Sequence, residues 1–432
     1  MAEEVDFDVI VIGAGVAGSV CAKLIADQGH EVLLVERGNE PGSKNLSGGI
    51  FYSRVIEEIF PNFADVAPVE RRITRNCIHF INETSSVGVD YYDQRLGEPV
   101  NAVSVLRARL DPWLAEQAEN SGVTLMPGFL IEKLIVEDGV VKGIEVDGDE
   151  IRARMTIAAD GVNSFVARSL GMRQQEKLSH LAIGVKSVIG LPKEKIEERF
   201  HLSENDGVAY AMVGDCTQGI GGGAFLYTNT ESISLGVVLR LDDLVASGKS
   251  ASDIHDYFLS HPTIKPLIKG GDLLEYGSHL TIENGPAMVK QAIARPGILL
   301  IGDAAGFTLN TGLTIRGMDL ATESARCAAK IVNQALTDEN YTEDLTTVYR
   351  QALADSFLGQ DMATYQRTPA FLENERMYKS YGKLAVDIFN ELFTLDTTPR
   401  KRAVSIALRA IKRSGIGLLT IAKDAWHATR AL

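Results

Sequence analysis

The stretch FDVIVIGAGVAGSVCAKLIADQGHEVLLVER, starting at Phe7, constrains this chain more than any other. An apolar run short enough for a buried strand leads into a glycine turn, a helix of small and apolar residues and a second apolar strand, which together make one βαβ unit. Gly13, Gly15 and Gly18 occupy G-x-G-x-x-G. The first glycine permits a tight turn, the second lets backbone approach a pyrophosphate, and the third lets the helix pack against the sheet. Ala14 and Ala17 fill the small positions between them. The helix N-terminus then offers free N–H groups and a positive dipole end to phosphate oxygens. Glu36 closes the second strand, where a carboxylate accepts from both hydroxyls of an adenosine ribose and repels a 2′-phosphate. A dinucleotide site follows, but this unit alone does not choose between FAD and NAD.

The rest of the composition narrows the class. With 432 residues, 45% of them hydrophobic, the chain buries a large core in two or three domains. A formal charge of −14 disfavours nucleic acid, which needs a broad face of Lys and Arg to replace counterions. Cys21, Cys77, Cys216 and Cys327 show no C-x-x-C spacing, so neither a disulfide framework nor a metal site is expected, and a reducing cytoplasmic compartment fits. The opening MAEEVDFDVI lacks a basic, apolar leader, and no apolar run reaches the ~20 residues of a membrane-spanning helix.

Four further stretches extend the site. After Glu36 come Arg37 and then PGSKNLSGGIFY, whose Lys44, Asn45, Ser47, Gly48 and Gly49 suit close backbone approach to a flat ring. In VLRARLDPWLAEQAENSGV, Arg107 stands at a strand end before a helix with Pro112 in its first turn, within reach of a pyrophosphate. MTIAADGVNSFVARSLG sets Asp160 and Gly161 at a sharp turn. Finally, GILLIGDAAGFTLNTGLTIRGMDLATESARCAAKIV carries Gly302, Asp303 and Gly306 at the end of an apolar strand. Asp303 suits a ribityl chain, and Gly312 with Leu313 are expected to present N–H groups to the pyrimidine end of a flavin.

GxGxxG…E, R-x-x-x-D-x-x-L, A-x-D-G and GDAAG, in this order, resemble the FAD signature of the p-hydroxybenzoate-hydroxylase and geranylgeranyl-reductase flavoproteins. GSKNLSGG, FLYTNTESISLGVV, LTIRGMDLA and DMATYQRTPAFLENERMY are similar to the electron transfer flavoprotein:quinone oxidoreductase family, especially its FixC branch, and the likeness spans essentially the whole chain. It implies an α/β (α+β overall) fold, with a Rossmann-like FAD-binding domain of the glutathione-reductase type, an inserted antiparallel sheet domain and a helical C-terminus. By the same resemblance Gly13, Gly15, Gly18, Glu36, Arg37, Arg107, Asp160, Gly302, Asp303 and Gly312 are FAD contacts, and Lys44, Asn45, Ser47 and Gly49 lie beside the isoalloxazine. Lys44 is the candidate tuner of the flavin, which itself carries the chemistry.

The implied activity is electron transfer from electron transfer flavoprotein to quinone. The implied partners are the α and β subunits of that flavoprotein, a membrane quinone and a ferredoxin-like 4Fe-4S protein, in a complex that bifurcates electrons towards ferredoxin. Long members of the family end in a cysteine-ligated cluster domain, whereas here no cysteine follows Cys327, so the cluster is expected on a separate subunit. Two other readings fit the residues: a reductase or hydroxylase acting directly on a lipid or aromatic substrate, and an assembly subunit whose FAD is structural.

Residues 1–78, 104–180 and 290–350 are expected to form the discontinuous FAD-binding domain. Residues 79–103 and 181–289 should form the acceptor-side sheet, and 351–432 a basic helical region for docking. Within the sheet, GIGGGAF at Gly219–Phe225 loosely resembles a second nucleotide turn but precedes a strand-like FLYT, which argues against it. From Pro399 onward the chain carries eight Lys or Arg and one Asp, hence +7 against −21 for the remainder. Val404, Leu408 and Ile411 fall on one helical face with Arg402, Arg409 and Arg413 outside it, a pattern for an anionic membrane surface, an acidic partner or its own domain. Peripheral attachment to the cytoplasmic face of the inner membrane is the expected location. Nothing in their spacing singles out His79, His180 or His279 as a proton donor.

Overall fold

The computed structural model describes residues 5–432 except 44, 46, 47, 340 and 342–344. Its first layer is a parallel sheet in the order Ile298–Leu300, Asp149–Ala158, Phe7–Ile12, Val32–Glu36 and Thr124–Pro127. Phe7–Ile12, Val32–Glu36 and Ile298–Leu300 are largely apolar runs because both faces are covered, as the centre of a parallel sheet requires. Val9 to Ile12, Val32 to Val35 and Ile298 to Ile301 are all buried. The helices Val16–Ala26 and Met318–Thr337 pack against each other over this sheet, and Ala17, Ala321, Ala325 and Ala328 let them approach closely.

The second layer is a nine-stranded sheet running Asp272–Ile282, Leu181–Gly190, Ser232–Arg240, Gly222–Thr228, Asp206–Gly214, Val69–Ile81, Ala102–Val105 and Gly49–Tyr52, with Ser86–Tyr92 paired to Val69–Ile81. Two features differ from the sequence expectation. The sheet is mixed, because Asp206–Gly214 and Val69–Ile81 run parallel. The chain passes through the first layer between these two strands, and such a long crossover brings the second strand back in the same direction, which a tight hairpin cannot do. The sheet also begins at Gly49–Tyr52 and takes in all of Val69–Ile81, so its membership reaches well before residue 79. The run VERRITRNCIHFI hides this strand behind its arginines. Arg71 is only 2% exposed, and its guanidinium donates to the carbonyls of Asn229 and Asp206 and to Glu197. Gly219–Phe225 leads into the Gly222–Thr228 strand, which has a neighbour on each side.

Helices occupy most of 345–431, ending in Gly382–Phe393, Ala403–Ser414 and Leu418–Ala431. Arg376 donates to both oxygens of Asp424 at 2.6 and 2.8 Å and so ties the last helix to the 370s. The basic helix packs on its own domain through a face other than that of Val404 and Leu408. It buries Ile406 and Ala410, while Val404 is 70% and Leu408 49% exposed. Arg409 and Arg413 both pair with Glu391, at 3.1 and 2.6 Å, and these clamps fix the helix on Gly382–Phe393 in that rotation. Among the described residues no helix is long and apolar enough to cross a membrane.

Candidate active site between the two layers

A cavity of about 400 Å³ lies where the two sheets face each other, and most of the glycine-rich stretches meet on its wall. At one end the βαβ turn is held by backbone fit. Gly13 has φ +103°, and a Cβ there would stand 2.5 Å from the Ala159 carbonyl oxygen. A Cβ on Gly18 would stand 1.8 Å from the Gly13 carbonyl oxygen, so Gly18 sits behind the wall and lets the turn close on its helix. Gly15 and Ala17 line the cavity itself. The Val16–Ala26 helix has no side-chain cap at its N-terminus, which leaves its first N–H groups open towards the cavity.

Glu36 is fixed by two backbone donors, Ala14 N–H at 2.9 Å and Gly38 N–H at 2.7 Å, so Ala14 serves the site by aiming this carboxylate. Arg37 lines the cavity beside it. Arg107 opens the Arg107–Asn120 helix and makes a forked pair with Asp111, Nε to Oδ1 at 2.6 Å and Nη2 to Oδ2 at 2.7 Å. Because the helix starts at Arg107, Pro112 lies inside it and not in its first turn. Asp111 is fully buried and also accepts from Asn45 Nδ2 at 2.8 Å, so a single carboxylate positions both a cation and the loop expected beside the ring. The R-x-x-x-D spacing is the sequence signal of this pair, one helical turn apart.

Across the cavity, Asp160 Oδ2 accepts the Val166 N–H at 2.9 Å, while its Oδ1 is buried without a hydrogen-bond partner. Burial pushes the Asp160 carboxyl above the usual range against the pull of that N–H bond. Gly161, with φ +74°, makes the turn that follows. Gly302, with φ +58°, donates its N–H to Ser324 Oγ at 2.9 Å and presents Asp303 to the cavity. Burial raises the Asp303 carboxyl while the facing Arg107 lowers it.

Besides Ala14 and Gly18, three expected contacts lie off this wall. Gly306 is a packing glycine, where a Cβ would meet Met288 Cβ at 2.6 Å. The N–H groups of Gly312 and Leu313 are already used, by Asn310 Oδ1 at 2.9 Å and Thr311 Oγ1 at 3.3 Å. The short hairpin of Leu309–Asn310 with Ile315–Arg316 closes on itself through these bonds and turns Leu313 to solvent. Lys44 and Ser47 lie outside the described residues, whereas Asn45, Gly48 and Gly49 line the cavity.

The second sheet completes the far end with residues that the sequence did not single out. Lys186, Phe225, Tyr227 and His279 project from three different strands onto one face. Burial, with Lys186, Arg107 and Arg37 nearby, lowers the affinity of His279 for a proton. Arg316 also lines this end but is bound to Asp319 and Asp361. The one visible signal was Lys186 as the lone charge in the apolar strand LAIGVKSVIG.

An open helix N-terminus, an aimed guanidinium, a ribose-competent carboxylate and the orphaned Asp160 oxygen fit a dinucleotide laid along the cavity. The comparisons agree. Residues 6–214 match the FAD binding domain family, and residues 368–432 match the ETF-QO/FixC family C-terminal domain. The chain is 43% identical over 427 residues to the probable electron transfer flavoprotein-quinone oxidoreductase YdiS of Escherichia coli K12, covering 99% of each. It is also 43% identical over 435 residues to Protein FixC of the same organism, covering 100% of each. A geranylgeranyl bacteriochlorophyll reductase-like protein of Thermoplasma acidophilum shares the fold, with a TM-score of 0.72 at 20% identity over 98% of this chain and 99% of that one. The flavin-dependent brominase Bmp2 shares it too, at a TM-score of 0.64 and 16% identity over 95% and 99%. With its cradle for FAD assembled between two sheets and its full-length relatives of one kind, this chain belongs to the ETF-QO/FixC family of FAD-dependent oxidoreductases.

Proposed function

We propose that this oxidoreductase takes electrons from reduced electron transfer flavoprotein and delivers them to a membrane quinone, in a complex with the α and β subunits of that flavoprotein and a ferredoxin-like 4Fe-4S protein. The observation that carries this reading is the 43% identity, end to end, with relatives named as FixC and as a probable electron transfer flavoprotein-quinone oxidoreductase.

Within the cavity, Glu36 accepts from the adenosine ribose, while the open helix N-terminus and Arg107 hold the pyrophosphate. Asp303 takes the ribityl hydroxyls, and Asn45, Gly48 and Gly49 form the wall beside the ring. FAD, when bound, supplies one- and two-electron exchange. Docking to an anionic bilayer on the cytoplasmic side is supported by exposed Val404, Leu408, Leu418 and Leu419 near Arg400, Lys401 and Arg402.

The test is anaerobic rapid mixing of the FAD-loaded protein with chemically reduced electron transfer flavoprotein, followed by a short-chain quinone. Bleaching and then recovery of the flavin spectrum are expected, and added ferredoxin-like protein reports whether electrons also bifurcate. Fast bleaching by NADPH alone would overturn the reading in favour of a self-sufficient reductase, and flavin that never bleaches in the working complex would favour a structural role.

A further inference from the structure

The ring end of the cavity contains a positive charge that no carboxylate among the described residues balances. Lys186 is the sixth residue of the Leu181–Gly190 strand, and its register partners on both sides are glycines, Gly236 and Gly277. Gly184, two residues earlier on the same face, adds no side chain either. A lysine can lie along a sheet in this way only if its neighbours leave the space, and here three glycines leave it.

The other wall is pressed onto the lysine. Gly48 has φ +93°, and a Cβ there would stand 2.3 Å from Ser234 Oγ, so the turn expected beside the ring rests directly on the sheet. That contact puts the Gly48 carbonyl 3.3 Å from Lys186 Nζ. The ammonium also lies 5.5 Å from the centre of the Phe225 ring. Among the described residues no carboxylate pairs with it, and its nearest charged neighbour in effect is Arg107, which repels it. Burial, reinforced by Arg107, pulls the lysine down to about 8. Arg316, the other cation at this end, is paired with two carboxylates.

A buried charge without a partner costs stability, and such groups cluster where a ligand supplies the missing charge. We propose that Lys186 is the electrostatic anchor of the ring compartment: its uncompensated ammonium, held beside the Gly48 carbonyl, favours the electron-rich, anionic form of a flavin ring lying there. This inference rests on the reading that the ring lies against residues 45–49. The side chain needs no proton transfer for this role, because a fixed charge in a dry cavity acts without rearrangement.

The test compares FAD-loaded parent, Lys186→Met, Lys186→Arg and Lys44→Met proteins by sulfite titration of the bound flavin and by spectroelectrochemical potential. Sulfite adds a negative charge to the oxidised ring and so reports local positive charge independently of turnover. Lys186→Met should weaken sulfite binding at least tenfold and lower the two-electron potential by about 30 mV, the equivalent of a tenfold change in equilibrium constant. Lys186→Arg should stay within about threefold of the parent, and Lys44→Met should match it. If Lys186→Met does not retain flavin, Lys186→Gln carries the same measurement with less loss of volume. A yellow Lys186→Met or Lys186→Gln protein with parental values overturns the proposal, as does a larger shift from Lys44→Met. Gly49→Val tests the placement of the ring separately. If filling that wall leaves flavin affinity and spectrum unchanged, the placement fails, whatever Lys186 does.

Discussion

The two ends of the cavity are built in opposite ways. At the nucleotide end, Gly13, Gly15, Gly18, Glu36 and Arg37 come from one continuous βαβ unit, and the contacts that shape it are backbone contacts within that unit and with the neighbouring turn at Ala159. At the ring end, Gly48, Lys186, Phe225, His279 and Arg316 come from segments up to 268 residues apart and meet only because two sheets stack. Phosphates are gripped by main-chain N–H groups, whose placement follows from local backbone shape, whereas a ring is surrounded by side chains that any strand can supply. Damage to the first end should therefore remove the cofactor, and damage to the second should change how the cofactor behaves.

The largest break in this contrast is expected from Gly13→Ala. It forces a side chain into a left-handed backbone and onto the Ala159 carbonyl, so FAD affinity should fall about a hundredfold and the purified protein should be colourless, as calorimetry and absorbance would show.

At the ring end, Lys186→Met should stabilise the flavin-free protein, on the order of 2 kcal/mol at pH 7 by thermal or denaturant unfolding, because it removes a buried, unpaired ammonium. The folded chain holds this lysine at about 8, lowered by burial and then by Arg107. The unfolded chain holds it near 10.4. The penalty is therefore full below about pH 8 and fades as pH rises towards the unfolded value. A gain that persists undiminished at pH 10 would refute this cause.

Asp111→Ala should weaken FAD about tenfold while shifting the spectrum of the bound flavin less than Lys186→Met does, because Arg107 loses its aim and Asn45 alone is released at the ring wall. A spectral shift as large as that of Lys186→Met would blur the division between the ends. The smallest effect is expected from Arg316→Gln, whose charge Asp319 and Asp361 already balance, so sulfite affinity should change less than about threefold.

How much of this could be read from the sequence follows the same division. The glycine cradle, Glu36, Arg107, Asp160 and Asp303 were legible because strand period, turn glycines and helix start are local signals, and the structure brings them to one wall. The R-x-x-x-D spacing was visible, but the double duty of Asp111 was not, since its second partner, Asn45, lies 66 residues away. Gly312 and Leu313 looked like free donors because sequence cannot say that Asn310 and Thr311 already accept from them. The expected boundary at residue 78 cuts the Val69–Ile81 strand, whose arginines interrupt the apolar pattern of a strand although Arg71 is buried among carbonyls and Glu197. In the basic helix, the sequence left Val404 and Leu408 open to a membrane, a partner or their own domain, and only the structure shows Ile406 and Ala410 turned inward beside the paired clamps of Arg409 and Arg413 on Glu391.

By itself, then, the sequence determined the dinucleotide cradle, the choice of FAD through four ordered motifs, and the family. Each rests on short-range backbone geometry that a few glycines and one carboxylate impose wherever they occur. Only the tertiary structure decided which face of each sheet strand looks into the cavity, which donors are already spent, and that one lysine is left there without a counter-charge. Those outcomes depend on strand register and layer stacking, which long-range packing sets and no local pattern encodes.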